Sequence, residues 1–188
     1  MPLTRIWSAR LALLALPLLP VLLSVPRPAR GSLVEAMDLT AMTAAAQRIV
    51  VGEVLSVTSD WDAEHKRIYT TAVVQVAETW KGAAAGQLKL VQLGGSVGDI
   101  EMRVHGLPAY RAGERAVLFL DRSGALVGLG QGKRPLRFDT TARRWLVEGG
   151  DRTAAFVAGP RGEIQPAAPE ARLPLDELRK RVRKLVSR

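Results

Sequence analysis

Residues 67–79, RIYTTAVVQVAET, place the firmest constraint on what this chain can fold into. The segment holds no Gly or Pro, and its β-branched and aromatic residues favour extended backbone. Side chains alternate across a strand. Ile68, Thr70, Ala72, Val74 and Val76 therefore share one face, and Tyr69, Thr71, Val73 and Gln75 the other. The first face is the core candidate, because two positions on the second are polar.

Other segments follow the same logic. Residues 49–57 read as a strand, with Gly52 marking a bend or bulge. Residues 59–64, which include Trp61, are polar punctuation. Residues 81–86 turn the chain into a third strand at 87–93. A glycine-rich irregular stretch runs from 94 to 113. Residues 115–120 predict a fourth strand and 125–129 a fifth. Residues 136–138 and 144–147 predict a last hairpin over Asp139-Thr140-Thr141. Several short strands at close spacing predict a mainly β domain, a barrel or a sandwich.

Two helices flank this core. Residues 38–47, DLTAMTAAAQ, predict a short one, with Asp38 capping its first turn and Leu39, Met42 and Ala46 facing inward. Residues 158–173 hold several prolines and little periodicity, which predicts a linker. From Pro174 to the end, Leu175, Leu178, Val182 and Leu185 recur at helical spacing on an otherwise basic segment. This basic amphipathic helix can dock on its own domain or make weak contact with an anionic membrane surface.

The first 31 residues differ from the rest. Arg5 and Arg10 precede an uncharged run at 11–25, too short for a comfortable bilayer span. Ala29 and Gly31 then place small residues before Ser32. This predicts a secretory signal peptide at 1–31, cleaved near Gly31/Ser32, and a periplasmic or extracellular location. Retention as an anchor is the competing reading, which Arg27 and Arg30, unusual so close to a cut, keep open. Residues 32–157 would form the β domain.

The chain carries 27 Lys+Arg against 18 Asp+Glu, a net charge of +9. Four of those arginines lie in the leader and seven basic residues lie after Pro169, so residues 32–169 are close to neutral. A neutral body argues against a nucleic-acid groove. That weighs against an oligonucleotide-binding barrel with Trp61, Trp80 and Trp145 as stacking platforms. There is no cysteine, which excludes a thiol nucleophile, a Cys-ligated zinc site and disulfide staples.

Two motifs bear on chemistry. Residues 127–133, VGLGQGK, approach a phosphate-binding loop. They fail it, because Val127 stands where the first glycine belongs and Arg134 where Ser or Thr should hold magnesium. The glycines predict a corner in a curved sheet. Residues 94–98, GGSVG, match the G-x-S-x-G nucleophile elbow, with Asp99 and His105 downstream. A small serine hydrolase using Ser96 and His105 is the enzymatic alternative, although that elbow requires a following helix and a distant histidine. His65 and His105 are the only histidines and form no metal-ligand spacing, so neither metal nor cofactor is expected.

Three elements line up in order: I-V-V-G-E-V at 49–54, Y-T-T-A-V-V-Q-V at 69–76 ending in W-K-G at 80–82, and G-E-R-A-V-L-F-L at 113–120. The pattern resembles the netrin-like modules, which include the tissue inhibitors of metalloproteinases. It is most similar to the exported bacterial proteins that share it. The resemblance implies an OB-like five-stranded β-barrel, here with a short N-terminal helix, an extra C-terminal hairpin and the basic helix. Inhibition by an N-terminal cysteine does not carry over, and no site residue is transferred. The expected role is a non-enzymatic module that binds a protein or envelope component. Trp61, Gly95, Ser96, His105 and Tyr110 are its candidate surface.

Overall fold

The structure, a computed structural model, describes residues 34–83, 86–151, 155–158 and 163–187. The expected leader lies outside the described residues. Twelve strands and two helices follow in chain order among the described residues: β1 (Val34–Glu35), α1 (Leu39–Ala45), β2 (Arg48–Trp61), β3 (Ile68–Lys81), β4 (Gln87–Leu93), β5 (Gly95–Val97), β6 (Ile100–Met102), β7 (Arg115–Leu120), β8 (Lys133–Asp139), β9 (Arg144–Val147), β10 (Ala155–Ala158), β11 (Ile164–Pro166), β12 (Leu173–Pro174) and α2 (Leu175–Val186).

Seven strands form one antiparallel sheet in the order β12-β9-β8-β7-β2-β3-β4. β1, β10 and β11 make a smaller sheet, and β5 and β6 a separate hairpin. The β2–β3 ladder is interrupted at three places, between Ile49 and Val50, Val51 and Gly52, and Val54 and Ser56. Such bulges bend a strand and increase its twist. Gly52 sits at one of them, where an added Cβ would lie 2.5 Å from Val74 Cγ1.

The sheet is buried on both faces at its centre. On one face Ile49, Val51, Val117 and Phe119 pack with Met42 of α1 and with Leu178 and Val182 of α2. On the other, Val50, Val54, Val74, Ala116, Leu118 and Leu120 pack together. β7 is buried from Ala116 to Leu120, which explains why its sequence is a continuous apolar run and not an alternation. Burying one such side chain stabilises the fold by about 1.5–3 kcal/mol.

The helices behave as their sequences predict. Asp38 accepts the Ala41 amide at 2.7 Å and caps α1. α2 carries Asp176 and Glu177 in its first turn and Arg183 and Lys184 in its last, matching the helix dipole. Leu175, Leu178 and Val182 are buried. Arg179 grips Glu78 of β3 through two hydrogen bonds, at 2.6 and 2.9 Å. Trp80 Nε1 donates to the same carboxylate at 3.0 Å.

Four expectations are corrected. Among the described residues the sheet does not close into a barrel: β4 and β12 are its end strands, and β4 pairs only with β3. Residues 125–129 form no strand. Gly128 (φ 63°) and Leu129 (φ 57°) both adopt left-handed backbone and lead into a 3-10 turn at Leu129–Gly132, leaving one bridge, Leu120 to Leu126. Ser59, Asp60 and Trp61, expected as punctuation, extend β2, because Thr70, Tyr69 and Ile68 of β3 pair with them. The expected linker at 158–173 contributes β11 and the first residue of β12.

Candidate functional site

The glycine-rich segment after β4 builds the site. Gly94 donates its amide to Ile68 O at 2.7 Å and accepts Thr70 Oγ1 at 2.6 Å. Thr70 Oγ1 in turn lies 2.9 Å from Ser59 Oγ. Gly95 has φ 138°, a region closed to residues with a Cβ, and such a Cβ would strike both hydroxyls. The polar ends of β2 and β3 thus clamp the two glycines and launch the β5–β6 hairpin. Ser96 stands opposite Glu101 in that hairpin.

The chain then crosses the open side of the sheet. Gln92 Nε2 of β4 donates to Pro108 O at 2.8 Å. Lys133 Nζ of β8 donates to the next carbonyl, Ala109 O. Two side chains therefore span the interval between β4 and β8 where a closed barrel would have a ladder. Tyr110 inserts into the interior cluster with Leu118 and Val54. Gly113 and Glu114 rejoin β2 through paired bonds with Val54, each 2.8 Å.

Lys133 is the lysine of the VGLGQGK stretch, and it faces inward. Only 4% of it is exposed. Its ammonium lies 2.7 Å from Glu114 and 4.9 Å from the Tyr110 ring centroid. Burial pushes the Lys133 ammonium below the ordinary lysine range, and the Glu114 carboxylate opposes that push. Burial, with the nearby Glu114 charge, holds the Tyr110 phenol well above its usual range. This lysine anchors a loop and is not presented to a phosphate.

A cavity of about 770 Å³ opens between the hairpin, residues 103–111 and the strand ends. Val57, Leu93 and Tyr110 supply apolar lining, and Arg103, His105 and Arg111 supply cationic or titratable lining. Arg103 is paired with Glu101 at 2.7 Å, and its hydrogen bonds hold that exposed carboxyl below its ordinary range. The Arg111 guanidinium has no carboxylate at ion-pair distance among the described residues.

Of the five sequence candidates, Gly95, Ser96, His105 and Tyr110 line this cavity. Trp61 does not line it; two residues beyond Ser59 at the hairpin end of the β2–β3 ribbon, it stacks on His65 with ring centroids 6.3 Å apart. Ser96 lies on a strand followed by a tight turn and another strand, not a helix. No hydrogen bond joins Ser96 to His105 among the described residues. The described residues contain no group of three or more His, Asp or Glu placed to hold a metal ion. None of their helices is long and apolar enough to cross a membrane. Sequence reasoning missed Gln92, Arg103 and Arg111. The two arginines are the only Arg or Lys in residues 94–113, a signal that was there to be read.

Fold and cavity together define a mainly β protein whose large antiparallel sheet is open and carries a loop-lined cavity on its open side. No family model, curated protein or solved structure matches the chain.

Proposed function

We propose that the chain is an exported, non-enzymatic module that binds another macromolecule or an envelope component through the cavity at residues 94–111. The observation that carries the reading is the convergence of Gly95, Ser96, His105 and Tyr110 on one open cavity, whose wall also presents Arg103 and Arg111. Polar groups around a partly apolar floor suit recognition, and loops held on a rigid sheet are common binding elements. The export component rests on the leader pattern of residues 1–31. The OB-like, netrin-like component rests on the run β4-β3-β2-β7-β8, bent at its bulges and open on one side; OB domains are themselves partly open barrels. The exposed basic residues of α2 allow weak contact with an anionic surface, since its apolar stripe faces the domain.

The test is site-directed photo-crosslinking of residues 32–188 against an envelope fraction, with a benzophenone amino acid at Ser96 or His105 and, as a control, at Arg122. Crosslinks from 96 and 105, competed by excess unlabelled chain and absent from 122, support the reading. Equal crosslinking from all three positions, or none, overturns it. The hydrolase alternative is favoured by one geometric fact, that Ser96 and His105 share the cavity. A fluorophosphonate label that disappears in Ser96→Ala would replace the binding reading with that one.

A further inference from the structure

A second cavity of about 540 Å³ lies on the other face of the sheet. It exists because α2 begins at Leu175 and covers that face only as far as Val51 and Val117. The next cross-strand pair on the same face, Glu53 with Arg115, lies past the helix. The β8–β9 hairpin forms the opposite wall, with Trp145 half-buried there. Trp145 is braced by the Arg115 guanidinium 5.1 Å from its ring and by Phe138, ring centroids 5.2 Å apart. Leu136, Trp145 and Leu175 thus offer an apolar surface inside a charged rim.

The rim is not balanced. Glu53 is held by Arg115 at 2.8 Å. Glu78 and Asp176 are both held by Arg179, each at 2.6 Å. Every carboxylate of this cavity therefore has a named cation. Arg143 and Arg144, which also line it, have no carboxylate at ion-pair distance among the described residues. Arg143 adopts a left-handed backbone, φ 50°, at the hairpin turn that carries the two cations.

We propose that this groove binds a small amphipathic carboxylate: a flat apolar body seated against Trp145 and Leu175, and one negative group met by Arg143 and Arg144. The volume falls in the usual small-ligand range of roughly 300–1,000 Å³. The apolar body supplies most of the affinity through desolvated area. The arginines supply selectivity for the anion, since guanidinium pairs with carboxylate in a planar fork. A dianion gains nothing further, because the remaining cations are already engaged.

The test uses two probes of one shape, 2-naphthoate and its neutral amide, titrated into the full chain. Calorimetry and the Trp145 indole N–H resonance are the readouts. Naphthoate is expected to saturate one site, shift the Trp145 signal, and bind about threefold to tenfold tighter than the amide. Arg143→Gln with Arg144→Gln should bring naphthoate down to the amide's affinity without changing the melting temperature. Arg122→Gln with Arg137→Gln, which lie outside the groove, should change neither probe. Equal affinity for the two probes, an unmoved Trp145 signal, or an equal loss in both double variants would overturn the proposal.

Discussion

Lys133 and Glu114 form an ion pair at 2.7 Å, with the lysine side chain 4% and the glutamate side chain 18% exposed. Removing one partner of such a pair leaves the other charge with less solvent and no counter-ion, which costs about 3–5 kcal/mol. Lys133→Met should therefore destabilise the domain by that order. Adding Glu114→Gln should recover part of the loss. Denaturant melts of wild type and the two variants check this, and hydrogen exchange should show faster opening at residues 109–114 in Lys133→Met.

Glu78 supplies a pH signature. Burial alone would raise its carboxyl, but hydrogen bonds from Arg179 and Trp80 outweigh burial and leave it below its ordinary value of 4.5. A depressed carboxylate stabilises the fold above its unfolded-state value and loses that contribution as pH falls through the folded-state one. Glu78→Gln should melt below wild type at about pH 7. The gap should close as pH drops below about 4.5, when the wild-type carboxyl protonates. A gap of constant size across that window would show that the ion pair contributes nothing.

Gly95→Ala tests the clamp on the hairpin. The φ of 138° and the two hydroxyls in the path of a Cβ make the substitution strained. A cost of about 1–3 kcal/mol is expected from backbone strain alone. The same variant should disturb amide resonances of residues 94–103 while leaving β7 unchanged. Ser96→Ala, at an exposed neighbour, should stay within about 0.5 kcal/mol of wild type.

Gln131 is 2% exposed, yet its side-chain amide is fully used. It accepts the Met37 amide at 2.9 Å and donates to Glu35 O at 3.0 Å and Gly128 O at 3.2 Å. Gln131→Leu removes these side-chain bonds from the Met37 amide and the Glu35 carbonyl, at about 1–3 kcal/mol for each that stays buried, while Gly128 O keeps the Gln131 backbone amide at 3.3 Å. The loss should localise to residues 34–37 in hydrogen exchange before the whole domain unfolds.

Much of the fold was legible where local chemistry and tertiary context agree. Residues 87–93 and 115–120 read as strands to the residue, because glycines or charged residues bound both ends and the interiors favour extended backbone. The strand expected at 125–129 failed because Gly128 and Leu129 take a backbone that no hydropathy pattern reports. Closure was illegible for a different reason. Whether β4 meets β8 depends on where residues 107–111 lie, and Gln92 and Lys133 decide that across sequence separations of 16 and 24. The site divided the same way. The glycine-rich segment announced itself by composition, whereas the groove at Trp145 joins residues from β2, β7, β9 and α2 that no short window contains.

β7 has one more consequence. A strand with one wet face is held in frame because sliding by a single residue would turn its apolar side outward. β7 has no wet face from Ala116 to Leu120, so sliding would only exchange one greasy side for the other. Its frame must be set by bulk and by its ends. Ala116 sits opposite Gly52, where little else fits, and Arg115 meets Glu53 at 2.8 Å just beyond. The strand's position is thus written in one small pair and one charged pair, and weakening both together would cost the sheet its alignment before it cost the core its greasiness.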